Sequence, residues 1–293
     1  MHDFREKIRA YFRRNAISKA KRTVASFFAC SPEEAAFLNL GELAERIGVS
    51  PATISRTSVE MGFSGYPDLQ EQIRSQLKIG ITPVERLKET PADESTPIWT
   101  SSILRDQESL NTLLSLNSGE KFQKAVELFA SAPSVYSLAL RSSYPLTFFF
   151  NLLLFQIRPN VHHISIDDGQ LTESVFDIGQ DDVVFVVSLP RYTKFVLEVT
   201  EKIRRTGCRV VSITDSELSP LAIASDIAFF CRYESASFFN SNIAAQAIIN
   251  ALLSGVLQHL GQGGVQRLEK HSNAMKDWSS KLSLGVQGYL PEP

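Results

Sequence analysis

Cysteine is scarce in this chain. Cys30, Cys208 and Cys231 are its three, an odd number with neither a disulfide framework nor metal-ligand spacing. That pattern excludes a disulfide-stapled scaffold and leaves structural thiols in a reducing cytoplasm. A long apolar run is missing too. The nearest approach, Pro145 to Ile157, falls short of the roughly 18 residues a membrane span needs and reads as a buried helix. No apolar signal-peptide core follows Asp3, Arg5, Glu6 and Lys7, so nothing indicates export. Internal repeats and low-complexity segments are not found. The net charge of −2 is too small to name a partner class.

What is present fits a soluble globular protein. A hydrophobic share of 43% and a charged share of 21% in 293 residues argue for about two domains. Up to Arg22 the charge is uneven, with eight bases against Asp3 and Glu6. Such an excess suits phosphate contacts, although a solvated helix face shows the same pattern. Residues 1–79 read as helical, and 80–118 as a linker with Pro83, Pro91 and Pro97 followed by a connecting helix. In that helix Ile103, Leu110, Leu113, Leu114 and Leu116 share a face expected to pack on a neighbour. In 119–262, β-branched runs (Val135–Leu140, Val161–Ile166, Val183–Ser188, Arg209–Ile213 and Ile227–Arg232) alternate with helical patterns. Apolar strands separated by helices imply a parallel sheet covered on both faces. Residues 263–293 are a polar tail to which no role attaches.

The sharpest local signal runs from Leu40 to Phe63. Leu43, Ala44 and Ile47 form the inner face of one helix, and Gly48 permits a left-handed turn. Ser50 caps the next helix with Pro51 at its first position. Ile54 points back toward the small Ala44, so the helices can cross closely. These are the parts of a helix-turn-helix, although an ordinary αα-hairpin shares the turn and the cap. In this register Ser50, Pro51, Ala52, Thr53, Ser55 and Arg56 face outward at the N-terminal half of the second helix. There they would meet base edges and phosphates of double-stranded operator DNA.

The stretch LGELAERIGVSPATISR…MGFSGYPDLQEQIR resembles the helix-turn-helix of RpiR-type regulators, with Gly62, Phe63, Gly65, Tyr66 and Leu69 in the expected places. Thr57 stands where that family usually carries Phe. From about Lys121 to Leu260 the chain resembles the SIS (sugar-isomerase) domain of the same family. The resemblance implies an α plus α/β fold: a helix-turn-helix bundle, then a doubly wound, flavodoxin-like sheet of five parallel strands. It implies a cytoplasmic regulator without a cofactor or metal, not an enzyme. Its partners would be DNA, a small anionic metabolite and a second copy of the chain, as a homodimer or tetramer.

Four loops, each after an expected strand, carry the SIS resemblance, and ligands of open parallel sheets bind at that end of the strands. RSSYP offers Arg141, Ser142 and Ser143, and SLPRYTK offers Ser188, Arg191, Tyr192 and Thr193. ESASFFNSN adds Ser237. Arginine forks, hydroxyls and helix N-termini suit a phosphate or carboxylate, although serine and threonine there can be mere caps and Arg141 could pair with Asp215 or Asp167. TDSELSP is read as a turn closed by Thr214, Asp215 and Ser216, with Ser219 starting the next helix. Arg141 replaces a family glycine, and Leu189-Pro190-Arg191-Tyr192 fills a loop that is usually small and polar. The effector is therefore a phosphorylated sugar or a related carboxylate. The alternatives are a phosphosugar isomerase, with Glu173, Glu234 or His259 as base, and an adaptor that acts on proteins. His162-His163 reads as structural.

Overall fold

A computed structural model describes residues 4–13, 17–30, 32–76, 96–165, 171–190, 192–217 and 219–282, with 84 and 87 besides. The linker's centre, Arg191 and the end of the tail lie outside those residues.

Six helices open the chain: α1 (Phe4–Phe12), α2 (Lys19–Cys30), α3 (Pro32–Phe37), α4 (Leu40–Ile47), α5 (Pro51–Glu60) and α6 (Tyr66–Gln76). They enclose one apolar cluster built on Phe4, Phe28, Leu43, Ile54, Leu69 and Ile73. The start of α4 is fixed by a reciprocal capping box between Asn39 and Glu42. Its end turns at Gly48, whose φ of 67° lies in the left-handed region. Three carbonyls at the end of α3 are served by side chains of α6. Tyr66 and Gln70 donate to the carbonyls of Ala35 and Leu38, and Arg74 Nε donates to that of Ala36.

The connecting segment forms α7 (Ile98–Asn111) and the single turn α8 (Leu113–Leu116). The helix breaks at Thr112, so the expected apolar face does not continue. Leu113 packs on the core, whereas Leu114 is 93% exposed and Ile103, Leu110 and Leu116 remain open.

Beyond α9 (Gly119–Ser131) come β1 (Val135–Leu138), α10 (Tyr144–Ile157), β2 (Val161–His163) and α11 (Leu171–Phe176). Then follow β3 (Val183–Val187), α12 (Lys194–Arg204), β4 (Arg209–Thr214), α13 (Pro220–Ile223) and β5 (Ile227–Phe230). The five strands are parallel in the order β2-β1-β3-β4-β5, as the alternating pattern predicts. Helices bury both faces. One cluster sets Phe129, Phe150 and Leu252 against Phe185 and Val211, and the other sets Val196 and Ile203 against Val184 and Val210. Arg158 closes the end of α9. It is buried, forms no ion pair with a described residue, and donates to the carbonyls of Phe129, Ala132 and Pro133.

The long apolar helix α14 (Ile243–Leu260) is the one described helix whose length and composition could cross a membrane. Its inner face, including Ile249, Leu252 and Val256, lies in the sheet's core. Residues 262–282, in the tail to which no role attached, continue as a further helix, α15 (Gln262–Leu282). Gly264 makes this possible: a Cβ there would lie 3.0 Å from Leu257 Cδ1 and 3.1 Å from Leu260 Cβ, so glycine lets α15 fold back on α14.

Candidate functional site

Two surfaces gather the residues nominated from sequence. On the first, Ser50 caps α5 by accepting from the Thr53 amide at 3.2 Å, with Pro51 in the first turn. Ser50, Pro51, Ala52 and Arg56 are exposed, and Thr53 and Ser55 are half-buried, so the six form one accessible patch. Thr57 is fully buried, and its hydroxyl donates to the Thr53 carbonyl at 2.7 Å. This small residue therefore fits beneath the helix without disturbing Arg56. Ile54 and Ala44 are both buried in the cluster that joins α4 to α5, as the helix-turn-helix reading requires.

The basic excess of the N-terminus is partly spent on the fold. Lys7 donates to the Gly62 carbonyl at 3.0 Å and sits 4.3 Å from the Phe63 ring centroid. Lys21 pairs with Glu60 at 2.5 Å. Arg13, Lys19 and Arg22 stay exposed beside the patch-bearing bundle, free of such roles in any bond described for them. Asp68 accepts the Ser64 amide at 2.8 Å, and that bond holds its carboxyl below the usual range.

The second surface is a crevice at the carboxyl ends of β1 and β3. This is the point where the strand order reverses, the position at which open α/β sheets bind ligands. Arg141, Ser142, Ser143, Ser188 and Thr193 line it together, with Leu140, Leu189, Pro190 and Asn240. Arg141 has a φ of 57°, so the arginine adopts the backbone conformation that favours the family's glycine. It is exposed and makes no ion pair with a described residue. Neither Ser143 nor Thr193 uses its hydroxyl to cap the helix it precedes. Both residues line the crevice, where hydroxyls not spent on capping suit an anion.

The fourth loop takes part through residues that its serines concealed. Asn240 Nδ2 donates to the Pro190 carbonyl at 3.2 Å, and Asn242 Nδ2 donates to the Ser142 carbonyl at 2.8 Å. Ser237 does not line the crevice; its amide is held by Ser235 Oγ at 3.1 Å. Tyr192 is also turned away. Its ring, 7% exposed, belongs to the apolar cluster of the N-terminal helices, and its hydroxyl donates to the Asp215 carboxylate. Burial pushes Asp215 up despite that bond. The turn at TDSELSP closes as read, with the hydroxyls of Thr214 and Ser219 hydrogen-bonded at 2.7 Å and Ser219 capping α13.

The residues considered as isomerase bases do not converge. Glu173, Glu234 and His259 are exposed on different elements, and none lines the crevice. His162 stacks on Tyr136 at 5.0 Å, and His163 meets Ser137 Oγ at 3.3 Å, as structural histidines do. Among the described residues no cluster of His, Cys, Asp and Glu could hold a metal. Burial raises the Cys231 thiol to about 12 and raises that of Cys208, so both are inert at neutral pH.

Comparison with known proteins follows the same division. Residues 4–79 match the model of the helix-turn-helix domain of the rpiR family, and residues 128–255 match the SIS domain. An uncharacterized HTH-type transcriptional regulator of Caldanaerobacter subterraneus is 24% identical, over 89% of this chain and 93% of its own. The HTH-type transcriptional regulator HexR of Pseudomonas aeruginosa is 27% identical, over 73% of this chain and 74% of its own. Among solved structures, the Vibrio vulnificus NanR protein complexed with ManNAc-6P is similar at a TM-score of 0.57 and 19% identity. That match covers 94% of this chain and 98% of the other. The sugar isomerase domain of an RpiR transcription factor from Sphaerobacter thermophilus gives 0.58 at 20% identity, covering 61% and 99%.

Proposed function

The chain belongs to the rpiR family of helix-turn-helix regulators that carry a SIS domain, and from this we propose that it binds operator DNA under the control of a small anionic metabolite. The observation that carries the reading is the pairing of two surfaces on one chain: an exposed recognition helix and a donor-rich crevice at the sheet's switch point. On DNA, α5 enters the major groove with Ser50, Pro51, Ala52 and Thr53 leading, and Ser55 and Arg56 one turn behind. Arg56 holds a guanine edge or a phosphate.

The effector is an anion, a phosphorylated sugar or a related carboxylate, held by Arg141, Ser142, Ser143, Ser188 and Thr193 with Arg191 from the same loop. The NanR complex with a phosphorylated sugar supports that class. The bulk of Leu189 and Pro190 and the charge of Arg141 set this crevice apart from glycine-rich ones. Among the described residues that line it, none is a carboxylate or histidine placed for proton abstraction, which favours sensing over isomerisation.

The working unit is a cytoplasmic homodimer. Tyr144, Phe148, Leu152 and Phe155 recur at helical spacing along α10 and are 40%, 51%, 52% and 47% exposed. An apolar stripe of this kind suits a self-complementary face. Two copies would present two recognition helices to paired half-sites.

The test is binding of the full chain to operator DNA selected from random sequence, followed by fluorescence anisotropy across a salt series. Affinity falls steeply as salt rises, and Arg56→Ala weakens binding about tenfold or more. Affinity that is flat in salt and indifferent to Arg56 contradicts the reading and favours an adaptor that acts on proteins.

A further inference from the structure

We propose that Tyr192 is the transmission contact of this protein: it docks the effector loop onto the DNA-reading domain, so that widening the crevice withdraws its ring and frees that domain. The inference rests on the crevice being the effector site and adds the route by which occupancy reaches DNA.

The loop between β3 and α12 has two faces. On one, Ser188, Leu189, Pro190 and Thr193 wall the crevice, with Asn240 holding the Pro190 carbonyl. On the other, Tyr192 leaves both sheet-side clusters and joins the cluster of α1 to α6. Leu197, one turn into α12, packs against both the N-terminal cluster and the sheet cluster around Val196. The hydroxyl of Tyr192 is anchored to Asp215 at the end of β4, which also accepts from Thr214 Oγ1 at 3.1 Å. A cleft of about 390 Å³ separates Phe37 and Leu38 from Leu197 and Ile223. The ring of Tyr192 is thus a narrow bridge beside an open gap.

The crevice requires the loop to move. Its free volume is about 20 Å³, room for a water molecule, whereas small-molecule sites enclose roughly 300–1,000 Å³. Its other long wall opens the 14-residue helix α10 (Tyr144–Ile157), which is packed into the core through Leu146, Phe150 and Leu154. Leu189 anchors the start of the opposite wall in the same core, so a ligand displaces the end of that wall nearer α12, where Thr193 lines the crevice. Thr193 and Tyr192 are consecutive, and one cannot shift by ångströms without the other. Ligand binding then acts as a choice between a docked and a released arrangement of the two domains.

Hydrogen–deuterium exchange of the full chain tests this without DNA or ligand, with residues 32–47 as the reporter and β1 and β3 as the internal control for folding. Tyr192→Ala speeds exchange at 32–47 several-fold while the strands stay protected. Tyr192→Phe, which keeps the ring, stays within twofold of the wild type. Leu197→Ser, outside the reporter, opens the same junction from α12 and gives the same acceleration, which covers the case of Tyr192→Ala failing to fold. Ser142→Trp fills the crevice from its far wall and accelerates 32–47 although it touches neither Tyr192 nor the N-terminal helices.

Unchanged exchange in both Tyr192→Ala and Leu197→Ser overturns the docking contact. Acceleration in those two but not in Ser142→Trp overturns the transmission. A chain that passes these tests yet binds no operator overturns the regulator reading and leaves the contact standing.

Discussion

The hydroxyl of Tyr66 lies 2.7 Å from the carbonyl of Leu38 and donates to it, tying α6 to the end of α3 beneath the recognition helix. Burial raises the phenol to about 12 from 10.0, outweighing the lowering by Arg74 and Gln70. A group whose folded value is raised stabilises the protein below its unfolded value and loses that contribution as pH climbs through the folded one. Stability therefore falls between pH 10 and 12, by about 2–3 kcal/mol from this group. Tyr66→Phe, whose loss at neutral pH is about 1 kcal/mol because Gln70 still serves Leu38, lacks that share of the alkaline loss. Urea denaturation of both proteins at pH 8 and pH 11.5 gives the comparison.

Gly48 reaches its φ of 67° with open space where a Cβ would stand. Gly48→Ala therefore costs about 1 kcal/mol from the left-handed backbone alone, with no steric clash added. Denaturant midpoints measure it, and a shift above about 3 kcal/mol would show that the two helices also rely on the missing Cβ.

The turn and the cap were legible because Gly48, Ser50 and Pro51 act within one short segment, where local chemistry decides the backbone. The sheet was legible for a similar reason: its central strand Val183–Val187, buried on both faces, carries no polar residue to confuse the pattern. The site was legible only in part. Arg141, the paired serines and Thr193 sit where loops follow strands, but the direction of Tyr192 depends on a surface more than a hundred residues away in sequence. Asn240 and Asn242 carry the fourth loop's contacts because of how that loop folds around Ser235, a path no spacing rule gives. The helix at 262–282 was hidden by Gly263 and Gly264, which disfavour helices by propensity. Tertiary contact with α14 overrides that preference.

Arg141 combines a conformational cost with a proposed binding role, and two variants separate them. Arg141→Ala keeps the positive φ, whereas Arg141→Gly relieves it. The glycine variant is therefore more stable than the alanine variant, by up to about 1 kcal/mol, less the entropy glycine adds to the unfolded chain. Both lose the guanidinium and with it anion affinity. Thermal melts rank the stabilities, and isothermal titration with the effector reads the affinity.

Arg158 serves three carbonyls at the end of α9 from a buried position. Arg158→Met retains much of the apolar stem but leaves those acceptors unpaired, at a cost of about 2–3 kcal/mol. Because the site is remote from α5, the variant that remains folded keeps its operator affinity. Chemical denaturation and a gel shift on one preparation check both statements.

The central claim is that one chain couples a metabolite crevice to a DNA-reading helix, and operator affinity in the presence of a stabilising ligand tests it most directly. Sugar phosphates and carboxylate metabolites would first be screened for those that raise the melting temperature of the full chain; saturation at 100 times the dissociation constant adds about 2.7 kcal/mol. Operator binding would then be titrated with and without each hit, in the wild type and in Arg141→Ala. The predicted result is at least one anionic hit that shifts operator affinity about fivefold or more in the wild type and has no effect in Arg141→Ala. Hits that stabilise the chain yet leave operator affinity the same would contradict the coupling.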